Sequence, residues 1–228
     1  MKKVLQAMIL GCLCYAAPAK SQILVDTALV RAPSDINLGP SLSLSKIKYE
    51  NEENNKTFTI KRNTLGLGLV CKLDSSVDFL MQLGYTFDEK FENSALDEGT
   101  GYMAGMGINF AMYHGKKIDI VGYGLLNYIT DHYKKDYVTV DMHLTDAHLG
   151  SLLIFKASPV VGIFGGLDLV PYSEGSIDHH SGNVDFKRNE LLNFKLGLEF
   201  NLPGVVIKPE ATLGGENTFS LIATFAIN

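Results

Sequence analysis

The segment from Leu192 to Leu202 alternates strictly between apolar residues and polar residues or glycine. Successive side chains of a β-strand point to opposite sides, so a period of two predicts a strand with one apolar and one polar face. In a soluble β-sandwich the apolar face packs inward. In a membrane barrel it contacts lipid, and the polar face lines the lumen. The position of the apolar face therefore decides what kind of protein this chain forms.

The first 19 residues have the layout of a secretory signal peptide. Lys2 and Lys3 precede an apolar run, and Ala17-Pro18-Ala19 supplies the small residues of a cleavage site. We assign residues 1–19 to a signal peptide, residues 20–35 to an N-terminal periplasmic strap and residues 36–228 to the folded domain. A lipoprotein signal with Cys12 as its modified residue is the alternative.

Charge and cysteine content exclude several classes of protein. After residue 19, 18 basic residues stand against 25 acidic ones, so nothing suggests a nucleic-acid-binding surface. Cys71 is the only cysteine in this part of the chain, which excludes an intramolecular disulfide framework. No apolar run there is long enough for a transmembrane helix. Membrane insertion would therefore require a β-barrel.

Alternating connections divide residues 36–228 into ten strands. Polar loops fall at residues 50–56, 88–99, 130–146 and 173–188, and short turns fall near residues 74–76, 114–117, 157–159, 203–204 and 214–216. Long loops at one end and short turns at the other are typical of outer-membrane barrels. The sequence thus predicts an all-β fold, a ten-stranded antiparallel up-and-down transmembrane β-barrel, with eight strands as the alternative.

The polar faces of these strands favour a lumen over a water-washed exterior. They are rich in Gly, Ser, Thr and Asn, whereas a solvent-facing sheet surface usually carries charged, strand-forming residues. Lys195 turned toward lipid at mid-membrane would cost about 2–4 kcal/mol. We therefore place the apolar faces against lipid. A soluble secreted β-sandwich is the alternative from a different class.

With its signal peptide, its alternating strands and the closing segment Phe219–Phe225, the chain resembles the small outer-membrane β-barrel proteins of Gram-negative bacteria. The resemblance implies residence in the cell outer membrane. It also implies two partners, the outer-membrane lipid and the barrel-assembly machinery that reads the C-terminal strand. Members of the class usually end on an aromatic residue, whereas this chain continues from Phe225 to Asn228.

Six charged residues are predicted to face the lumen. They are Arg62, Asp168, Lys195, Glu199, Lys208 and Glu210. Charges removed from water need partners, so we expect a polar network that mostly plugs a narrow barrel. A narrow porin-like channel for small solutes is the alternative, although wide aqueous channels require many more strands.

The polar loops carry the remaining candidate chemistry. Asp178 and His180 resemble half of the site of the omptin surface proteases, for which Asp88 and Glu89 would supply the acidic pair. Five histidines and the acidic cluster of residues 88–98 are also compatible with metal binding, but they lack close ligand spacing. We assign no catalytic residue, metal site or cofactor. The expected function is non-enzymatic: external loops that contact an extracellular ligand or a host surface.

Overall fold

The computed structural model describes residues 36–92, 99–135, 138–179 and 182–227, which form eleven antiparallel β-strands. The predicted signal peptide and strap lie outside the described residues, as does His180. Among the described residues, no helix is long and apolar enough to cross a membrane. The strands are β1 Ile36–Asn51, β2 Thr57–Lys72, β3 Val77–Phe91, β4 Gly99–His114, β5 Ile118–Lys135, β6 Val138–Lys156, β7 Val161–His179, β8 Gly182–Arg188, β9 Leu192–Leu202, β10 Val205–Gly214 and β11 Glu216–Ile227.

Ten of these strands close into a barrel, which confirms the predicted fold. Each strand pairs with its neighbour in the order β1 to β7, then β9, β10 and β11, and β11 pairs back with β1. The turns near residues 74–76, 114–117, 157–159 and 203–204 lie at one end of the barrel, whereas the turn near residues 214–216 lies on the opposite side. At the other end, which we call the extended end, strands β1 to β7 reach further than strands β9 to β11.

The eleventh strand, β8, belongs only to the extended end. It pairs with the last part of β7 and with the last residues of β1, where Tyr49 lies opposite Arg188. Strands β9 to β11 contribute nothing beyond that level because β8 crosses above them. The barrel therefore narrows from ten strands to an eight-stranded ring made of β1 to β8.

A belt of apolar side chains surrounds the ten-stranded part. On β9, Phe194 and Leu196 are at least 50% exposed, whereas Asn193 and Lys195 on the opposite face are at most 3% exposed. A water-soluble protein does not expose an apolar surface that encircles the whole molecule. The belt is therefore the lipid-facing surface, and on strands such as β9 the polar face is enclosed as the sequence predicts. On β5 the prediction is wrong, because Val121, Tyr123 and Leu125 form a buried cluster inside the lumen with residues of β6 and β7.

Aromatic residues mark the edge of the belt at the extended end. The rings of Tyr85 and Tyr102 lie 5.6 Å apart on neighbouring strands, and Tyr128 on β5 is also exposed. Tyrosine favours the boundary between hydrocarbon and head groups because its ring is apolar and its hydroxyl is polar. These three residues mark the membrane boundary at the extended end of the barrel.

The predicted long loops are wrong in extent, because the strands continue through most of them. Residues 130–135 and 138–146 belong to β5 and β6, and residues 173–179 and 182–188 belong to β7 and β8. Beyond the belt the two faces of the strands exchange their polarity. On β5, His132 and Lys134 point outward into water, while Tyr133 points into the barrel and is fully buried.

Inward-facing glycines let the lumen accommodate large side chains. A Cβ atom on Gly150 would lie 2.3 Å from the Tyr123 ring, and one on Gly197 would lie 2.4 Å from the Phe164 ring. Carbon atoms do not approach so closely without displacement. Gly150 and Gly197 are therefore packing positions for rings from a neighbouring strand.

Candidate functional site

An apolar cluster fills the lumen at the extended end. We call it the apolar cap. Its buried members are Ile47, Tyr49, Ile60, Met103, Ile129, Tyr133, Val140, Met142, Leu144 and Phe186. Tyr49 and Phe186 meet edge to face with ring centroids 5.1 Å apart. The cap comes from β1, β2, β4, β5, β6 and β8, so it joins the eight-stranded ring across its interior.

Arg62 lies beside the cap residues in a buried ion-pair cluster. Its Nη2 atom is 2.6 Å from Oε1 of Glu89 and 2.8 Å from Oδ2 of Asp131. The Thr86 hydroxyl donates to Oδ1 of Asp131. All four residues are at most 1% exposed. Because buried charges need partners, this cluster links β2, β3 and β5 in a fixed register.

A second buried cluster centres on Arg188, the last residue of β8. Its Nη1 atom lies 2.7 Å from Oε2 of Glu216, and its Nη2 atom lies 3.0 Å from Oδ2 of Asp146. The three residues belong to β8, β11 and β6. This cluster therefore connects β8 with two strands other than its hydrogen-bonded neighbours.

Asp168 is the centre of a polar group deeper in the lumen. It accepts hydrogen bonds from the Tyr123 hydroxyl at 2.8 Å and from Nδ2 of Asn193 at 2.9 Å. Nδ1 of His148 lies 3.0 Å from its Oδ2 atom. Three different strands thus contact one carboxylate.

Four further luminal charges form two lysine–glutamate pairs. Lys195 lies 2.9 Å from Glu210, and Lys208 lies 3.6 Å from Glu199. All four residues are at most 7% exposed. The structure therefore brings five of the six residues singled out in the sequence into the middle and lower lumen, whereas Arg62 belongs to the separate cluster beside the apolar cap.

Several luminal charges were missed because their segments were assigned to loops. They are Glu89, Asp131, Asp146, Arg188 and Glu216. The useful signal was that the alternation continues beyond the belt with inverted polarity, as in Ile129-Thr130-Asp131-His132-Tyr133. If the apolar side chains are assumed to point outward along all of β5, the predicted strand ends near Tyr128, although the observed strand continues to Lys135.

One wall of the lumen is lined by small residues. Ser41, Ser43 and Ser45 on β1 face inward, as do Thr218 and Ser220 on β11. The charged lysine–glutamate pairs lie beside this wall on β9 and β10. The wall across the lumen, on β5 and β6, carries a buried apolar cluster that includes Val121, Tyr123 and Leu152. A narrow channel would follow this small-residue wall, but the apolar cap lies across its path at the extended end.

The outer surface of the extended end carries a polar pocket of about 390 Å³. Its lining comes from β6, β7, β8 and the turn after β1, and includes Glu52, His143, Glu174, Ser176 and Asp185. Lys187 pairs with Glu52 at 3.3 Å. The pocket opens to water above the belt, so its three carboxylates favour a positively charged ligand.

Glu92 anchors two lysines on the opposite side of the extended end. Its carboxylate lies 2.8 Å from Nζ of Lys46 and 2.5 Å from Nζ of Lys61. The hydrogen bonds from these two lysines lower the pKa of Glu92 from 4.5 to about 2. The carboxylate therefore stays charged in all but strongly acidic solution.

Asp88 and Glu89, the acidic pair of the candidate protease site, point to opposite sides of β3. Asp88 points outward and pairs with Lys90 at 2.9 Å. Glu89 points into the barrel and is bound to Arg62. Asp88 has a positive φ of 52° at the irregularity where the register between β3 and β4 shifts. Asp178 lies on β7, and its sequence partner His180 lies outside the described residues.

Histidine and aspartate side chains of the extended end lie in pairs on the outer surface. In the described ranges, no group of three or more His, Cys, Asp or Glu side chains is already placed to hold a metal ion. His132 instead pairs with Asp141 at 2.6 Å, and Nε2 of His143 lies 3.9 Å from Oδ2 of Asp178.

No protein-family model and no curated protein sequence matches the chain. The transport unit of the autotransporter AIDA-I from Escherichia coli is structurally similar, with a TM-score of 0.53, 11% identity and coverage of 92% of this chain and 95% of that one. The translocator domain of the autotransporter NalP from Neisseria meningitidis has a TM-score of 0.49 at 10% identity, covering 99% and 98% of the two chains. The outer membrane protease OmpT from Escherichia coli has a TM-score of 0.49 at 8% identity, covering 87% and 98%.

The likeness to AIDA-I shows a shared β-barrel fold and nothing about activity, because the sequences are so different. The lipid-facing belt adds the physical requirement for a membrane. The closed barrel and its belt together make this chain an integral β-barrel protein of the outer membrane.

Proposed function

We propose that this protein is a non-enzymatic surface protein of the outer membrane. Its barrel serves as a rigid, filled support, and its extended end faces the outside and binds an extracellular ligand or a host surface. The observation that carries this proposal is the filling of the lumen. The apolar cap spans the eight-stranded ring, and buried ion pairs occupy the space beneath it.

The filled lumen argues against the alternative, a narrow channel for small solutes. A solute would have to displace Tyr49, Tyr133 and Phe186 of the cap and also pass the Arg62 and Arg188 clusters beside them. Breaking a buried ion pair by removing one partner costs about 3–5 kcal/mol. A passage that requires such losses at each step does not conduct at a useful rate.

The arrangement of the acidic residues supports a non-enzymatic role. A hydrolytic site needs carboxylates that face a common substrate position. Asp88 and Glu89 face opposite sides of β3, and Glu89 is enclosed with Arg62. The exposed pocket beside Ser176 offers charge and shape for binding instead.

Planar bilayer recording tests this proposal. Purified full-length protein, folded as shown by its heat-modifiable migration in SDS gels, should give no stable conductance steps when inserted into a planar bilayer. A porin inserted under the same conditions serves as the positive control. Uniform, reproducible steps from this protein would show that the lumen conducts and would favour the channel alternative.

A further inference from the structure

Four side chains of the extended end lie on one outward face of β5, β6 and β7. They are His132, Asp141, His143 and Asp178, which we call the His–Asp face. The strand register places His132 opposite Asp141, and Asp141 opposite Asp178. Asp141 and His143 are two residues apart, whereas His132 and Asp178 come from neighbouring strands, so no sequence motif identifies the whole face. We propose that His143, Asp178 and Asp141 bind a divalent transition-metal ion.

The first argument is the charge of the face. Asp141 and Asp178 are direct cross-strand partners, and like charges in this position destabilise a sheet. His132 lies at hydrogen-bonding distance from Asp141, so one carboxylate is partly compensated. A cation between the two strands would compensate both.

The second argument is the spacing of two ligand atoms. Nε2 of His143 lies 3.9 Å from Oδ2 of Asp178. A tetrahedral zinc ion with bonds of about 2.0–2.1 Å holds two ligand atoms roughly 3.4 Å apart. The two atoms therefore need to approach by only about half an ångström to share one ion.

The third argument is the support of the histidine. Nδ1 of His143 lies 3.1 Å from the Tyr128 hydroxyl, and the two rings stack with centroids 6.3 Å apart. A metal-binding histidine usually has its second ring nitrogen held by a hydrogen bond, which fixes the ring orientation. Tyr128 provides that contact and leaves Nε2 directed toward Asp178.

The carboxylates have the capacity to complete the site. Oδ1 of Asp178 is shielded from water and has no hydrogen-bond partner within the described ranges. Asp141 is bonded to His132, but a carboxylate has about four lone-pair positions. A rotation of the Asp141 side chain would bring a free lone pair toward the ion, with His132 as its supporting partner.

The inference deepens the proposed function, and it rests on that function only for placing the His–Asp face outside the cell. The neighbouring pocket shares His143 with this face. A ligand that occupies the pocket would therefore lie beside the ion. Metal binding by purified protein does not depend on whether the lumen conducts, so either proposal can fail without the other.

Cobalt titration tests the site. Folded full-length protein in detergent, freed of metal with a chelator, is titrated with CoCl2 while visible absorption and heat of binding are recorded. We expect one equivalent of Co2+ to bind with a visible absorption band, and ZnCl2 to displace it. His143→Gln and Asp178→Asn should each weaken binding at least tenfold, because each removes a ligand while retaining similar size.

Two control variants locate the ion. His114→Gln, at the opposite end of the barrel, should bind Co2+ like the unmodified protein. A double variant with His179→Gln and His180→Gln should also retain binding. The proposal is overturned if the folded protein binds no Co2+ or Zn2+, if both ligand variants bind as tightly as the unmodified protein, or if only the double variant loses binding.

Discussion

Replacing Arg188 with methionine should destabilise the barrel strongly. Arg188 is fully enclosed and contacts the carboxylates of both Asp146 and Glu216. Methionine retains much of the length and apolar volume of arginine but donates no hydrogen bond. Two carboxylates would remain in the lumen without their guanidinium partner, and removing one partner of a buried ion pair costs about 3–5 kcal/mol.

The loss should be larger than for an exposed ion pair on the same strand. Lys187, the preceding residue, points outward and pairs with Glu52 at 3.3 Å, with both side chains close to half exposed. Exposed pairs contribute at most about 1 kcal/mol. Lys187→Met is therefore a matched control that changes the adjacent residue of β8 without disturbing the lumen.

Urea unfolding of the protein in lipid vesicles, followed by circular dichroism and SDS gel mobility, measures both variants. A further variant combining Arg188→Met with Asp146→Asn and Glu216→Gln should recover much of the lost stability, because neutral amides are cheaper to bury than carboxylates. A loss below about 1 kcal/mol for Arg188→Met, or no recovery in the combined variant, would refute the view that this cluster stabilises the seam beneath β8.

Two further predictions concern the extended end. The first uses a Cys71→Ser background. In it, Lys187→Cys should react with a membrane-impermeant maleimide on intact cells, whereas Lys117→Cys, in the turn after β4, should react only after lysis. The opposite pattern would reverse the proposed orientation. The lowered pKa of Glu92, about 2, means that its pairing with Lys46 and Lys61 contributes stability above pH 4.5, which is lost as the pH falls through 2. The exposed position limits this contribution to less than about 1 kcal/mol. The urea midpoint of the unmodified protein should therefore fall slightly more between pH 5 and pH 2 than that of Glu92→Gln, and equal slopes would contradict the assignment.

The buried clusters also explain why β8 is ordered although it spans only seven residues. It has hydrogen-bonded neighbours on both sides, β7 and β1, and Phe186 and Arg188 enter the interior. Phe186 joins the apolar cap, while Arg188 joins the ion pairs below it. The strand is thus attached through its backbone and through both of its buried side chains.

The sequence determined the membrane part of the fold. Alternation in segments such as Leu192–Leu202 indicates which residues share a face, and on most strands the depletion of charge from one face shows which side contacts lipid. On β5 this rule fails, because Val121, Tyr123 and Leu125 face the lumen. The short turns set the antiparallel order of neighbouring strands. These properties are local, because side-chain direction along a strand follows from backbone geometry alone.

The tertiary structure decided where the strands end and which charges meet. Beyond Tyr128 the solvent outside the barrel changes from hydrocarbon to water, so the favourable side for apolar residues changes from outside to inside. The alternation continues with inverted polarity, which made the outer strands look like loops. Pairings such as Arg188 with Glu216, and the approach of His143 to Asp178, depend on register and barrel closure. Strand alternation gives the side on which a residue lies, but only the closed barrel determines its neighbour across the sheet or the lumen.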